Sequence, residues 1–235
     1  QPESFYIAFP LELEGGKIHL EVAGGTMEAG IDQIPGSAND WNTVQNYISV
    51  RNSNEQLVLV SHEAPIVQLG GINTGRFEYG AVPASNHIYS WPMNNYWTTN
   101  FNPDQRGMFN WTYNFTSINS NANEKAAQFG WGSRVPFLAR VLPEGKDDAK
   151  FPSQRSMMTG IPDNVLLVNA KPLENEEAII FQFRETGGND TAFIPKLTNA
   201  KEVKWAETDV LGTEKKRVSE LSIEANNSKF FKLSW

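Results

Sequence analysis

The chain is a succession of short segments, "KIHLEVAG", "VQNYISVRN", "QLVLVSH", "MFNWTYNFTSI" and "FLARVLP", rich in β-branched and aromatic residues and separated by clusters of Gly, Pro, Asn and Asp. Such a pattern predicts an all-β protein, because these side chains suit a pleated, half-buried surface and the intervening residues favour turns. Helical character is expected once, in "SNANEKAAQFG" (120–130). There small and charged residues follow an asparagine-serine cap region and stop at Gly130, which predicts one short helix within a loop.

With 235 residues, the chain is long enough for one large β unit or two ordinary domains, and either buries roughly 70–75% of its unfolded surface. The polar stretch "PEGKDDAKFPSQRSMMTGIPD" (143–163) holds three prolines and reads as a linker, so a border is expected near residue 163. Beyond it, "NVLLVNAKP", "EAIIFQFRET", "TAFIPK", "KEVKWAETDV", "RVSELSIEA" and "KFFKLSW" give six strand candidates with turns between them. Regular spacing of this kind predicts a small antiparallel β-sandwich over 164–235. Alternation in "AIIFQFRE" places Ile179, Phe181 and Phe183 on one face and Ile180, Gln182 and Arg184 on the other, and Lys229 to Trp235 reads as a final edge strand. No functional constellation stands out in this part, which is expected to stabilise and space.

Charge and composition exclude several function classes. The net charge is −7, six units of it in residues 1–163, and no basic run offsets it, so a phosphate backbone is repelled and nucleic acid is not an expected partner. No apolar run approaches the ~20 residues of a membrane span, and no membrane association is expected. The absence of cysteine removes disulfides, thiolate metal sites and a cysteine nucleophile, while fitting a cytoplasm and a bacterial periplasm equally well. The sequence opens at Gln1, without methionine and almost directly in a strand, as expected of a piece of something longer.

The residue patterns of common catalytic sites are weak. His19, His62 and His87 lie far apart, and none stands in an H-x-x-x-H or H-x-D arrangement; only His19 and Glu21, two apart, share a strand face. No metal site is therefore expected in this chain. There is no G-x-S-x-G turn, and "GGINTG" (70–75) lacks the spacing of a phosphate loop. Glycoside hydrolysis needs two carboxylates, one protonated and one ionised. Asp32, Asp40, Glu63, Glu78 and Asp104 are the candidates, and no spacing selects a pair among them.

One stretch is unusual: "YSWPMNNYWTTNF" (89–101) packs five aromatics and three asparagines into thirteen positions. Aromatic rings cover the C–H faces of sugars while amide side chains both donate to and accept from hydroxyls. Trp91, Asn94, Asn95, Tyr96 and Trp97 are thus the candidate substrate-binding residues. The alternative is that Trp and Tyr alternate into a sheet while the asparagines close a turn.

The blocks "FYIAFPLEL" (5–13), "DQIPGSANDWNTVQNYISVRN" (32–52), "EAPIVQLGGI" (63–72), "SWPMNNYWTTNF" (90–101) and "AAQFGWGSRVPFLA" (126–139) resemble the C-terminal region of family 38 glycoside hydrolases, the α-mannosidase family, most closely its bacterial members. The resemblance continues through "VLLVNAKPLENEEAIIFQFRETGG" (165–188), "AETDVLG" (206–212) and "KFFKLSW" (229–235), and so covers essentially the whole chain. It implies a galactose-mutarotase-like supersandwich portion over 1–163 and a small terminal sandwich over 164–235. It also implies that the zinc and the nucleophile reside in an N-terminal catalytic domain, which nothing in this sequence resembles. The expected partners are that domain of the same polypeptide and a mannose-containing carbohydrate, with the segment around Asn94 to Trp97 bordering the sugar site. Two other classes stay open: an independent carbohydrate-binding module, and an aldose mutarotase, for which His87 and Glu78 form the pairing to test.

Overall fold

The computed structural model describes residues 3–73, 79–80, 82–95, 105–135, 137–141, 154–198 and 202–235. The chain divides into two compact units, Gln1–Val135 and Pro136–Trp235.

In the first unit the strands are β1 (Ser4–Phe9), β2 (Lys17–Val22), β3 (Gly25–Glu28), β4 (Asn42–Thr43), β5 (Ile48–Arg51), β6 (Gln56–Ser61), β7 (Ile66–Leu69), β8 (Ile88–Asn94) and β9 (Tyr113–Ile118). They form two antiparallel sheets, ordered β1-β8-β7-β4 and β3-β2-β5-β6-β9. Period-two alternation explains why they stack. Ile18 and Leu20 of β2, Ile48 and Val50 of β5 and Leu59 of β6 meet Val67 of β7 and Ile88 of β8 in one core, sealed by Phe9, Leu69 and Tyr113. The opposite face of the five-stranded sheet carries His19, Glu21, Ser49, Val58 and Val60, all buried as well.

That second face is covered by the single helix among the described residues, α1 (Asn123–Arg134), which packs on β6. Its N-cap is Ala122, with no side-chain capping bond, so the Asn/Ser cap expected from the sequence is not made. The buried Gln56 amide instead donates to the Ser120 and Ala122 carbonyls (2.8 and 2.9 Å), holding the incoming chain. Gly130 does not end the helix. It is buried inside it because a Cβ there would stand 2.6 Å from Cδ1 of Tyr47. At the C-terminal end, Arg134 donates from Nη1 to the His62 carbonyl and from Nη2 to the Gln45 and Ser61 carbonyls, all within 2.9 Å.

Between helix and sheet lies a polar network. The Tyr47 hydroxyl donates to Asn123 Oδ1 (3.1 Å) and shares a bond with Thr26 Oγ1 (3.0 Å), Arg51 donates to Asn123 Oδ1 (3.2 Å), and the Trp131 indole donates to Glu21 Oε1 (2.9 Å). Phe137 to Val141, expected as a strand, carry no strand structure, and Phe137, Leu138 and Val141 are almost wholly exposed.

The second unit contains β10 (Met158–Thr159), β11 (Val165–Pro172), β12 (Ala178–Glu185), β13 (Thr191–Phe193), β14 (Lys196–Leu197), β15 (Lys204–Thr208), β16 (Glu214–Val218), β17 (Leu221–Ile223) and β18 (Ser228–Ser234). A five-stranded antiparallel sheet, β11-β12-β18-β15-β16, faces the short pairs β13-β17 and β10-β14. The expected face of β12 points inward: Phe181 and Phe183 join Phe193, Trp205, Leu221, Ile223, Phe231 and Leu233 in the core, with Ile179 at its margin. The last strand is not an edge strand. β18 sits centrally, paired to β12 on one side and β15 on the other. Its side chains explain this: Phe231 and Leu233 are buried on the inner face, and Lys232, also buried, is neutralised on the outer face by Glu176 (2.8 Å) and Glu214 (2.9 Å). The all-β antiparallel sandwich architecture anticipated from the strand pattern is therefore the observed one.

Candidate functional site

The expected aromatic-amide residues fall partly on β8. Ile88 and Ser90 point into the core, so Trp91, between them and Asn94, alternates to the outer face of the four-stranded sheet. Its ring stacks on Tyr6 of β1 (centroids 5.4 Å) and makes a T-shaped contact with Trp41 (6.1 Å), which is 39% exposed. The Trp91 indole N–H is buried without a hydrogen-bond partner among the described residues.

Asn94 and Asn95 tie down the first strand. Asn94 Oδ1 accepts from the Ser4 hydroxyl (3.2 Å), Asn95 Oδ1 accepts from the Glu3 N–H, and the Asn95 N–H donates to the Glu3 carbonyl (3.0 Å). Tyr96 and Trp97 lie outside the described residues, as do Glu78 and Asp104.

The remaining candidate carboxylates separate sharply by environment. Asp32 Oδ2 accepts from the Glu28 N–H (2.7 Å) and closes the turn after β3, while Glu63 Oε2 accepts from the Thr112 N–H (2.7 Å). Both are occupied in holding backbone. Asp40 is different: it is only 7% exposed, and no hydrogen bond or ion pair reaches its carboxylate among the described residues.

Asp40 lines a cleft of about 370 Å³ built from three stretches distant in sequence, around Ala29–Asn42, Leu69–Asn73 and Val82–Ala84. Local bonding fixes its polar wall. Gln33 Oε1 accepts from the Gly30 N–H (2.9 Å) and Gln33 Nε2 donates to Asn42 Oδ1 (2.9 Å). The loop after β7 is clamped by the buried Gln68, whose amide donates to the Asn73 carbonyl and accepts from the Asn73 N–H (3.0 and 2.8 Å). Gly70 adopts a left-handed φ of 74° with the Ala84 N–H only 2.8 Å from where a Cβ would stand, so no side chain fits that wall. Sequence reading counted Asp40 among five acids without singling it out; its lack of partners is a tertiary property.

The histidines form no site together. His19 is buried on β2, where Nδ1–H donates to the Lys17 carbonyl (3.1 Å) and Nε2 stands 3.8 Å from Glu28 Oε2. Burial, and then the Arg51 guanidinium, push its imidazole down to about 4, so it is neutral near pH 7. Glu21 shares that face, as expected, and is engaged by Trp131. His87 borders a separate groove with Glu12 and Glu14. Among the described residues no three His, Asp or Glu side chains are grouped to hold a metal ion.

No family model and no curated protein matches the sequence. Solved structures do match in fold. An alpha-mannosidase from Enterococcus faecalis superposes over 97% of this chain with a TM-score of 0.71 at 9% identity. A protein in glycosyl hydrolase family 38 from the same organism gives 0.72, again over 97% and at 9% identity. The β-sandwich arrangement is thus one shared with family 38 glycoside hydrolase chains, as the sequence resemblance led one to expect. The chain spans about a quarter of their length, 25% and 26% respectively.

Proposed function

We infer that this chain is the non-catalytic β region of an α-mannosidase-like glycoside hydrolase. It packs on a zinc-dependent catalytic domain of the same polypeptide and completes the cleft that receives a mannose-containing carbohydrate. The observation that carries this reading is the fold match: nearly all of the chain corresponds to a quarter of an alpha-mannosidase chain. The supersandwich portion over 1–163 and terminal sandwich over 164–235 belong to the same reading.

In this reading the zinc belongs to that catalytic domain, as the family resemblance implies. What this chain supplies is a surface. The Tyr6, Trp91 and Trp41 rings provide aromatic area for the C–H face of a sugar, or for a domain that presents one, on the outer face of the sheet whose β8 ends at Asn94.

The test is kinetic. In the full-length enzyme, Trp91→Ala and Trp97→Ala are expected to lower kcat/KM for an aryl α-mannoside by about tenfold or more, with far-UV circular dichroism and cooperative urea unfolding retained. Unchanged kcat/KM in both folded variants rejects the cleft-completing role.

The 39% exposure of Trp41 favours one further reading, an independent carbohydrate-binding module. The two are distinguished by whether the 235-residue chain alone binds mannose oligosaccharides through this face.

A further inference from the structure

We propose that the cleft around Asp40 is a binding site for a neutral polyhydroxylated molecule, a sugar ring or open-chain polyol, distinct from the aromatic face. The inference goes beyond the enzyme reading and does not depend on it.

The central observation is Asp40 itself. Asp40 is 7% exposed as a residue, and its carboxylate meets the cleft with no donor from a described group, so hydroxyls entering there find a charged acceptor not already engaged. Asp32, Glu63 and Glu21 all accept hydrogen bonds from described groups. Asp40 accepts none among the described residues and borders an open volume. The donors it lacks are the ones a ligand would bring.

The lining decides which ligand. Among its described residues there is no Lys, Arg or His, so of the described charges a second anion would meet only that of Asp40. Those described residues also include no aromatic ring, the surface that binds alkylammonium groups. One carboxylate is too few for calcium, which takes six to eight oxygen ligands and relies on several charged ones.

What remains suits hydroxyls. A carboxylate accepts from two neighbouring O–H groups at once, and Gln33, Asn39, Asn42 and Asn73 offer amides able to donate and accept. Ile72, Val82 and Pro83 form an apolar side for C–H groups. At about 370 Å³ the cleft falls in the ~300–1,000 Å³ range of small-molecule sites. With a single carboxylate among its described residues, the site is assigned binding and no hydrolytic step, which takes two.

The test uses the 235-residue chain, ¹⁵N-labelled and titrated with D-mannose, D-glucose and D-mannitol at millimolar concentrations, with calcium chloride and tetramethylammonium chloride as contrasts. At least one of the three polyols should shift the backbone amides of Gly30, Asp40, Asn42, Gly71 and Asn73 saturably. Asp40→Asn should weaken that binding by about tenfold or more, the loss expected for hydrogen bonds to a charged acceptor. Ala84→Trp, placed on the exposed rim, should block the cleft and abolish the shifts, and the exposed Glu220→Gln should leave them unchanged. The proposal is overturned if no polyol shifts these amides, if Asp40→Asn or Ala84→Trp binds as the parent does, or if calcium or tetramethylammonium alone produces the shifts. Loss of activity in the aromatic-face variants, or its absence, bears on none of these outcomes.

Discussion

Gly130 of α1 lies so close to the ring of Tyr47 that a Cβ would stand 2.6 Å from Cδ1, 2.8 Å from Cβ and 3.0 Å from Cγ. Tyr47 is 1% exposed and tethered at its hydroxyl to Thr26 and Asn123, so the ring has little room to give way. Helix propensity alone would favour Ala over Gly by ~1 kcal/mol, whereas overpacking a well-filled core costs about 1–3 kcal/mol. Gly130→Ala is therefore predicted to destabilise the protein by up to about 2 kcal/mol net, measured by urea unfolding. Gly132, two residues on, has open space where its Cβ would stand, and Gly132→Ala should stabilise by ~0.5–1 kcal/mol. Equal effects from the two changes would show that Gly130 is not a packing requirement.

His19 gives the first unit a specific pH dependence. Burial first and Arg51 second lower its pKa to about 4, against the Lys17 carbonyl and Asp32, which act the other way. The unfolded chain protonates this imidazole near its ordinary 6.5 and so binds more protons than the folded state between the two values. Stability is thus lost as pH falls from about 6.5 to about 4, by up to ~3 kcal/mol from this group. Unfolding free energies of the parent and His19→Gln, measured in steps across that window, should converge toward acid. Parallel curves would contradict the assignment.

Glu185 performs the corresponding task in the second unit. Its side chain is fully buried and accepts from the Gly187, Gly188 and Asn226 N–H groups and the Asn164 amide, at 2.6, 2.9, 2.8 and 2.9 Å. Burial alone would raise its pKa, but the donors, led by Asn226, hold it below the usual carboxylate value. Glu185→Gln turns an N–H donor toward backbone N–H groups and should cost about 2–3 kcal/mol near pH 7. The penalty should shrink as acid protonates the parent carboxylate, since a depressed pKa contributes stability only above the unfolded value. A loss below ~0.5 kcal/mol in urea unfolding would remove Glu185 as the organiser of these turns.

Asp40 should behave differently. Its carboxylate faces an open cleft and takes no donor from a described group, so Asp40→Asn is expected to change stability by less than about 0.5 kcal/mol while weakening polyol binding. Thermal melts of the two proteins without ligand provide the check. A marked destabilisation would mean that Asp40 serves the fold.

Much of this architecture was legible in the sequence because strands announce themselves by alternation, as in Ile179, Phe181 and Phe183. What escaped depended on neighbours distant in the chain. Gly130 reads as a helix stop until Tyr47, 83 positions earlier, is seen against it. Lys229 to Trp235 reads as an edge because a lysine interrupts its outer face, yet Glu176 and Glu214 neutralise Lys232 and allow the strand a central place. Asn94 and Asn95 were legible as polar partners, though not that Glu3 and Ser4 would take up their bonds. Asp40 was indistinguishable from Asp32 and Glu63, since lacking a partner leaves no mark in a sequence.

The most direct test of the account compares 4-nitrophenol release from 4-nitrophenyl α-D-mannoside by the 235-residue chain and by the longer polypeptide to which the proposed reading assigns it. The account predicts zinc-dependent release by the longer polypeptide and none above background by the chain alone. Hydrolysis by the isolated chain at an enzymatic rate, or a longer polypeptide inert toward every α-mannoside, would contradict it.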